Sequence, residues 1–138
     1  MKNMKTVNVV SAIIIQNNKV FAAQRGYGEY KGKWEFPGGK IKRQETPKAA
    51  LEREIIEELD TKIEVGELFE TVEYDYPNFH LSMQCFFAKV VSGNLILKEH
   101  SAAKWFRKSQ LNSVDWLSAN RELIEKLAKH LEDAAAVD

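Results

Sequence analysis

The hydrophobic residues of this chain follow two periods, one typical of β-strands and one typical of helices. Thr6–Gln16 and Lys19–Arg25 are rich in Val, Ile and Ala, so the pattern predicts two strands joined by a turn at Asn17-Asn18. A second, longer pair of strands is predicted at Lys62–Tyr74 and Phe79–Val91, on either side of a Tyr-Pro-Asn turn. These pairs indicate a mixed sheet that is built mostly from hairpins.

Shorter elements separate the long strands. Trp34–Phe36 predicts a short strand that stops at Pro37-Gly38-Gly39, and Ala103–Arg107 predicts another. Gly26–Lys33 is rich in glycine and predicts a loop, while Ser92-Gly93-Asn94 predicts a turn.

A first helix is predicted between the short strand and the second hairpin. Thr46 is a suitable N-cap, Pro47 suits the first helical position, and the helix is expected to end near Asp60. Its apolar stripe repeats every four residues and consists of Leu51, Ile55 and Leu59. Such a stripe is expected to pack on a sheet.

A second helix is predicted at Ser118–Glu132, with Ser118 as a candidate cap. Its apolar face consists of Leu123, Ile124, Leu127 and Leu131. The last residues, 133–138, are expected to fray. The 138 residues suit one domain of the α/β (α+β) class, a mixed sheet with two helices packed on it.

Composition narrows the function. Twenty basic and twenty acidic residues cancel, which argues against bulk electrostatic binding to duplex nucleic acid but leaves room for a local basic pocket. The one cysteine, Cys85, permits no internal disulfide and suits a reducing cytoplasm, our expected location. We expect no membrane partner, because no stretch approaches the ~20 apolar residues of a membrane helix, and we expect the apolar run near the N-terminus to be a strand.

Three carboxylates gather near the end of the first helix. Glu54, Glu57 and Glu58 share one helix face, where each like-charged pair costs roughly 0.2–0.5 kcal/mol and the helix dipole also disfavours anions. One interpretation is a solvated face on which Arg53 pairs with Glu57. The other is a site for a divalent cation, since Mg²⁺ takes oxygen ligands and would remove the repulsion.

The three carboxylates belong to a longer spaced pattern. Gly39 is followed after five residues by Glu45, and after seven more by the run Arg53–Glu58. This spacing resembles the Nudix box, G-x5-E-x7-R-E-U-x-E-E-x-G-U, where U is aliphatic. The box covers residues 39–61 and departs from the pattern at its end. Asp60 replaces a glycine that would adopt a left-handed conformation, and Thr61 replaces an aliphatic residue.

This resemblance implies a Nudix fold, in which a mixed sheet is sandwiched between helices (an α/β/α sandwich). It also implies a hydrolase that cleaves nucleoside diphosphates linked to another moiety with the help of Mg²⁺, or of Mn²⁺. The implied metal ligands are the carbonyl of Gly38 and the carboxylates of Glu54, Glu57 and Glu58. Arg53 is implied to orient a neighbouring carboxylate together with Glu45, or alternatively to form a simple salt bridge, and Gly39 and Glu45 are implied to shape the box.

Four further segments, WEFPGGKI, ETPKAA, YDYPNFHLSMQCFF and KEHSAAKWF, are similar to the MutT branch of the family. That branch cleaves nucleoside triphosphates to a monophosphate and pyrophosphate, and its namesake removes oxidised guanine nucleotides. A sister group acts on CTP and modified cytosine nucleotides. Both groups share these segments, so the segments do not separate the two substrates.

The branch resemblance gives candidate roles to residues outside the box. Glu99 aligns with a carboxylate near the metal and is a candidate ligand or general base; otherwise it is a surface residue. Arg25 matches an arginine that binds phosphate, with a surface charge as the alternative. Phe36 and Phe79 are candidates to stack on the base or to pack in the core.

Asn120 matches the asparagine with which MutT recognises 8-oxoguanine, whereas the cytosine-specific group tends to carry Asp there. An amide offers a donor and an acceptor to a guanine edge, and helix capping is the alternative role. His80 and His100 lack the spacing of zinc ligands and are expected to be structural. The leading hypothesis is therefore a Mg²⁺-dependent pyrophosphohydrolase of 8-oxo-dGTP. The alternatives are a CTP or modified-dCTP pyrophosphohydrolase and a non-catalytic nucleotide-binding module.

Overall fold

The structure is a computed structural model that describes residues 4–131, and a seven-stranded sheet organises this part of the chain. The strands are β1 (Lys5–Gln16), β2 (Lys19–Arg25), β3 (Trp34–Glu35), β4 (Gly38–Lys40), β5 (Lys62–Tyr76), β6 (Phe79–Ser92) and β7 (His100–Phe106). The helices are α1 (Pro47–Leu59), α2 (Ser118–Arg121) and α3 (Ile124–His130), and a 3₁₀ turn covers Lys108–Gln110. No helix within residues 4–131 is long and apolar enough to cross a membrane.

Strand β1 lies at the centre of the sheet, whose order is β3-β2-β1-β6-β5. It runs antiparallel to β2 and parallel to β6, with Val10 opposite Gln84. Strand β5 returns antiparallel to β6, β4 pairs with β1, and β7 pairs with β2. The mixed, hairpin-rich sheet that the sequence predicted is therefore confirmed.

The alternation of side chains along β1 supplies a core on each face of the sheet. Val10, Ala12 and Ile14 pack with the apolar stripe of α1 on one face. Ile13 packs on the other face with buried residues of α2, of α3 and of the turn between them, namely Ala119, Leu123, Ile124 and Leu127. The predicted sandwich of a sheet between helices is confirmed, while the single domain predicted for residues 1–138 stays a prediction.

Helix α1 begins and ends as its sequence indicates. The Thr46 hydroxyl accepts a hydrogen bond from the Ala49 N–H at 3.1 Å, and Pro47 is the first helical residue. Asp60 follows the last turn with φ 50° and ψ 43°, and its N–H donates to the carbonyl of Ile56 at 3.0 Å. Asp60 therefore adopts the left-handed conformation for which the box normally uses glycine.

Thr61, the other departure from the box, is buried, and its hydroxyl both donates and accepts a hydrogen bond. Its hydroxyl donates to the carbonyl of Leu59 at 2.9 Å and accepts from the N–H of Leu95 at 2.8 Å. The hydroxyl thus links the end of α1 to the loop before β7, which an aliphatic side chain would not do.

The prediction of one continuous second helix is wrong. The chain forms α2 and α3, because the N–H of Leu123 bonds to the carbonyl of Asn120, three residues back, and this tightens the turn between them. Ser118 does not cap α2; Leu117 occupies the N-cap position and makes no side-chain cap. Glu132 and the tail expected to fray lie outside the described residues.

Some strand limits also differ from the prediction. Gly38–Lys40, expected as a stop, forms β4 because its backbone pairs with Val9–Ser11 of β1. Strand β7 begins at His100 rather than Ala103, since His100 pairs with Arg25 at the end of β2. These differences arise from pairing with distant strands, which local residue patterns do not encode.

Candidate active site

Two glycines let the chain pass closely between β1 and α1. A Cβ on Gly38 would collide with the carbonyl oxygen of Val10 in β1. A Cβ on Gly39 would collide with the carboxylate of Glu54 in α1. The glycine pair therefore brings the backbone before α1 into direct contact with the first of the three box glutamates.

Arg53 holds several box residues in place. Its Nε and Nη2 donate to the two carboxylate oxygens of Glu45 at 2.5 and 2.9 Å, a bidentate pair. Its Nη1 donates to Glu54 at 3.1 Å and to Glu57 at 3.2 Å, while Nη2 also reaches the carbonyl of Lys40 at 3.0 Å. The hydrogen bond from Arg53 lowers the pKa of Glu45 to about 2. The predicted pairing of Arg53 with Glu45 is present, and so is its salt bridge to Glu57.

The box carboxylates line a cavity of about 350 Å³, here called the carboxylate cavity. Its lining residues are Gly38, Glu54, Glu57, Glu58, Lys98 and Glu99. Glu99 comes from the segment just before β7, so the fold brings it to the box from about forty residues away in sequence. No three His, Cys, Asp or Glu side chains within residues 4–131 are already arranged to hold a metal ion.

Glu58 has the most unusual electrostatic environment of the four glutamates. Its Oε1 is buried and has no hydrogen-bond partner in the described part of the chain. Burial, and then the nearby carboxylates of Glu54, Glu35 and Glu99, raise the pKa of Glu58 to about 8. An oxygen that is buried, unpartnered and close to other carboxylates fits a hard divalent cation, which takes oxygen ligands and keeps part of its water shell.

A second cavity of about 220 Å³, here called the arginine cavity, adjoins the first. Arg25, at the end of β2, lies in its lining, and its Nε donates to Glu35 at 3.0 Å. Glu58 and Glu99 line this cavity as well, and the hydroxyl of Tyr27 donates to Glu99 at 3.3 Å. The predicted phosphate-binding arginine thus lies beside the predicted metal ligands.

A third cavity of about 140 Å³, here called the aromatic cavity, is mostly apolar. Its lining includes the rings of Tyr30, Phe36, Tyr76 and Phe79 and the side chains of Leu81, Met83, Leu117 and Asn120. Phe36 stacks on Trp116 with ring centroids 4.9 Å apart, and Phe79 stacks on Tyr76 at 5.0 Å. Both predicted phenylalanines therefore line a cavity and also pack against neighbouring rings.

Asn120 is 4% exposed and is the third residue of α2. Its Oδ1 accepts a hydrogen bond from the backbone N–H of Phe36 at 2.9 Å, and this bond fixes which end of the amide is the oxygen. One residue earlier, the N–H of Ala119 donates to the hydroxyl of Tyr76 at 3.0 Å. The alternative of helix capping is wrong, because the amide oxygen binds another segment rather than its own helix.

The three cavities form one continuous site. Gly38 lines all of them, and Arg25 and Glu35 line both the arginine and the aromatic cavities. Glu58 and Glu99 line both the carboxylate and the arginine cavities. From one end of the site to the other, the lining therefore changes from carboxylates to an arginine and then to aromatic rings with one amide.

Glu35, His100 and Tyr76 are among the residues of this site that sequence reasoning missed. Glu35 bonds to Arg25 and also lies 3.2 Å from His100, through Oε2 and Nε2. Tyr76 contacts α2 through its hydroxyl. Glu35 and His100 each had a signal, since Glu35 lies four residues before the first box glycine, Gly39, and His100 follows Glu99, but Tyr76 was hidden in a strand pattern.

Comparison with known proteins supplies independent information. The family model of the NUDIX domain matches residues 5–127 of this chain. Two curated proteins of Escherichia coli (strain K12) are each 34% identical to it. One is named 8-oxo-dGTP diphosphatase and aligns over 91% of this chain and 99% of its own length. The other is named CTP pyrophosphohydrolase and aligns over 74% of this chain and 76% of its own length.

A solved structure shares the fold as well. The solution NMR structure of DNA mismatch repair protein MutT, of the Nudix hydrolase family, from Methicillin Resistant Staphylococcus aureus 252 is 33% identical to this chain. The match covers 93% of this chain and 99% of that one, with a TM-score of 0.74. Together these matches confirm the family predicted from the box, and the chain belongs to the NUDIX domain family.

Proposed function

We propose that this protein hydrolyses nucleoside triphosphates to a nucleoside monophosphate and pyrophosphate, with 8-oxo-dGTP as its preferred substrate. The observation that carries the proposal is the continuous site itself. Four carboxylates, one arginine and an aromatic cavity follow each other, and this order suits a metal, a phosphate chain and a base. The relatives named 8-oxo-dGTP diphosphatase and CTP pyrophosphohydrolase support the same reaction type.

Nudix hydrolases generally need a divalent metal, and we propose Mg²⁺, with Mn²⁺ as a substitute. Glu54, Glu57, Glu58 and Glu99, with the carbonyl of Gly38, are the residues that would hold it. When bound, the metal would activate water and neutralise charge on the phosphate chain. Arg53 would orient the metal ligands rather than bind the metal, because it donates hydrogen bonds to the carboxylates of Glu54 and Glu57.

The other candidate residues take roles that match their positions. Arg25 would bind phosphate oxygens through its guanidinium. The rings of Phe36 and Phe79 would contact the base in the aromatic cavity, where stacking suits any nucleobase. Asn120 would pair with the base edge, and its amide nitrogen is the donor left for this, because Oδ1 already accepts from Phe36.

CTP or a modified dCTP is the second candidate substrate, because the relative of that name is as similar in identity as the 8-oxo-dGTP diphosphatase. Asn rather than Asp at position 120 favours the guanine nucleotide. The complete set of box carboxylates disfavours a non-catalytic module. We also propose a cytoplasmic location, with which the buried free thiol of Cys85 is compatible.

A panel of kcat/KM values over dGTP, 8-oxo-dGTP, CTP, dCTP and 5-methyl-dCTP tests the proposal. We expect the highest value for 8-oxo-dGTP and release of pyrophosphate rather than phosphate. A maximum at CTP or 5-methyl-dCTP would support the second candidate. Binding of nucleotides without turnover of any of them would indicate the non-catalytic module and contradict the proposal.

A further inference from the structure

Glu35 lies between the side chains of Arg25 and His100, where the arginine cavity meets the aromatic cavity. Its Oε1 accepts a hydrogen bond from Arg25 Nε at 3.0 Å, and its Oε2 lies 3.2 Å from Nε2 of His100. The side chain of Glu35 is 16% exposed and that of His100 only 5%. Arg25, Glu35 and His100 thus form a continuous row of charged and polar side chains, which we call the Arg25–Glu35–His100 row.

Glu35 is contacted on both carboxylate oxygens, because Arg25 donates to Oε1 and the His100 ring lies beside Oε2. A carboxylate oxygen only accepts, so the 3.2 Å contact is a hydrogen bond when Nε2 of His100 carries the hydrogen. The other ring nitrogen, Nδ1, is buried and has no hydrogen-bond partner among residues 4–131. The bond to Glu35 is thus the polar contact that holds this buried ring in the described structure.

A β-bulge places the two ends of the row side by side. Strands β2 and β7 pair Gln24 with Ala102 but Arg25 with His100, which leaves Ser101 as the extra residue. The Ser101 hydroxyl donates to the side-chain oxygen of Gln24 at 3.1 Å. Bulges change the direction of side chains and are frequent beside active sites. Here the bulge puts Arg25 and His100 next to each other in the lining of the arginine cavity.

We propose that His100 is a positioning residue for substrate phosphate: it fixes Glu35, and Glu35 fixes Arg25 by its Nε. The guanidinium is then presented to phosphate oxygens through its terminal nitrogens in a fork of set orientation. Without the contact to His100, the Glu35 side chain can adopt other rotamers and no longer holds Arg25 in one orientation. Nucleotide binding must then restrict the Arg25 side chain, and this loss of conformational entropy weakens binding. This inference rests on the proposed function, because it takes Arg25 to bind the phosphate chain.

Steady-state kinetics with a nucleoside triphosphate test the proposal. His100→Leu removes the donor at similar volume, and we expect KM to rise about tenfold while kcat changes less than about twofold. The reason is that phosphate charge is present in both the ground state and the transition state. His100→Gln, whose amide can donate to Glu35, should restore most of the KM. In an Arg25→Ala background, His100→Leu should raise KM no further, because coupled residues are not additive.

His130→Leu is the matched control, since the His130 ring stacks on Phe87 at 4.7 Å outside the three cavities of the site. It should change stability but leave KM unaltered. If His100→Leu does not fold, His100→Asn replaces it, because its shorter amide reaches less far toward Glu35. An unchanged KM in the His100 variant, or KM effects that multiply with those of Arg25→Ala, would overturn the proposal.

Nitrogen-15 NMR of the substrate-free protein tests the row without any activity. The chain has three histidines, so single His→Leu variants assign the signals. We expect Nε2 of His100 to be protonated in the wild type. An Nε2 that carries no proton cannot donate to Glu35 and would overturn the proposal. A wild-type protein with protonated Nε2 that cleaves no nucleoside triphosphate would instead contradict the proposed function.

Discussion

Glu57 is held by the same arginine that holds Glu54, although half of its side chain is exposed. Its carboxylate lines the cavity that we assign to the metal. We expect Glu57→Gln to keep the fold but to lower kcat by about 100-fold or more, because one anionic ligand is lost where charge must be stabilised. The measurement is pyrophosphate release at limiting Mg²⁺.

Glu52→Gln is the matched control for this change, since Glu52 is exposed on α1 and outside the carboxylate cavity. It makes the same chemical substitution and should leave kcat unchanged. If Glu57→Gln turns over like the wild type at limiting Mg²⁺, Glu57 is not a metal ligand.

Asn120 allows two substitutions that separate its bonds. Asn120→Asp keeps an acceptor for the Phe36 N–H but replaces the amide donor that faces the base, so we expect kcat/KM for 8-oxo-dGTP to fall and that for CTP to be spared or raised. Asn120→Ala removes both the bond from the Phe36 N–H and the proposed bond to the base. We expect it to weaken transition-state binding by roughly 1–3 kcal/mol, which lowers kcat/KM for the preferred nucleotide about 5- to 150-fold.

The check is the ratio of kcat/KM values for the two nucleotides in each variant, with Asn112→Asp as a control at an exposed position outside the aromatic cavity. A ratio that stays constant in both Asn120 variants would show that Asn120 does not recognise the base. The choice of 8-oxo-dGTP over CTP would then lose its main support.

Some residues of the site could be predicted from the sequence, and others could not. Glu54, Glu57 and Glu58 were predictable because helical spacing alone puts them on one face. The partner of Asn120 was not, since the hydrogen bond from Phe36 joins residues 84 positions apart. His100 was predicted to be structural, because no metal spacing surrounds it, and its contact with Glu35 depends on a bulge.

The end of α1 carries a small strain that can be measured. Asp60 adopts a left-handed conformation, and its negative charge lies at the helix C-terminus, where the helix dipole disfavours anions. We expect Asp60→Gly to raise the free energy of unfolding by up to about 1 kcal/mol, despite the greater freedom of glycine in the unfolded chain. Asp60→Val should lower it, because a β-branched residue rarely adopts this conformation.

Chemical denaturation of the wild type and both variants at the same pH measures these free energies of unfolding. If the slope of free energy against denaturant concentration is unchanged, the shift in the unfolding midpoint reports the change in stability. A less stable Asp60→Gly variant would show that the aspartate makes a compensating contact. The result bears on the box directly, since Asp60 is where this chain departs from the glycine of the pattern.

Elements with strong local signals were predicted well, and those fixed by distant partners were not. Helix α1 has a cap, a first-turn proline and an apolar stripe, and its limits agree with the prediction. Strand β4 exists only because Gly38–Lys40 pairs with β1. The break between α2 and α3 likewise had no sequence signal, because the apolar period of Leu123, Ile124 and Leu127 continues through it.

The whole site depends on parts of the chain that are far apart in sequence. The end of β2, strand β4, α1, the segment before β7 and α2 each contribute to its lining. A metal that binds only the folded protein adds its binding free energy to stability. We therefore expect Mg²⁺ to raise the Tm of the wild type, by an amount equivalent to roughly 2.7 kcal/mol at 100 times its Kd.

Differential scanning calorimetry with and without Mg²⁺ measures this shift. The same Mg²⁺ concentration should raise the Tm of Glu57→Gln less than that of the wild type or of Glu52→Gln. Equal shifts in all three proteins would place the bound ion elsewhere on the molecule.

The central claim is that the carboxylate cavity holds the metal that drives pyrophosphohydrolysis. Its most direct test is pyrophosphate release from 8-oxo-dGTP by the wild type, measured with Mg²⁺ and again with excess EDTA. We expect stoichiometric pyrophosphate and nucleoside monophosphate with Mg²⁺, and loss of turnover with EDTA that added Mg²⁺ reverses. Release that continues unchanged in EDTA, or release of inorganic phosphate instead of pyrophosphate, would contradict the claim.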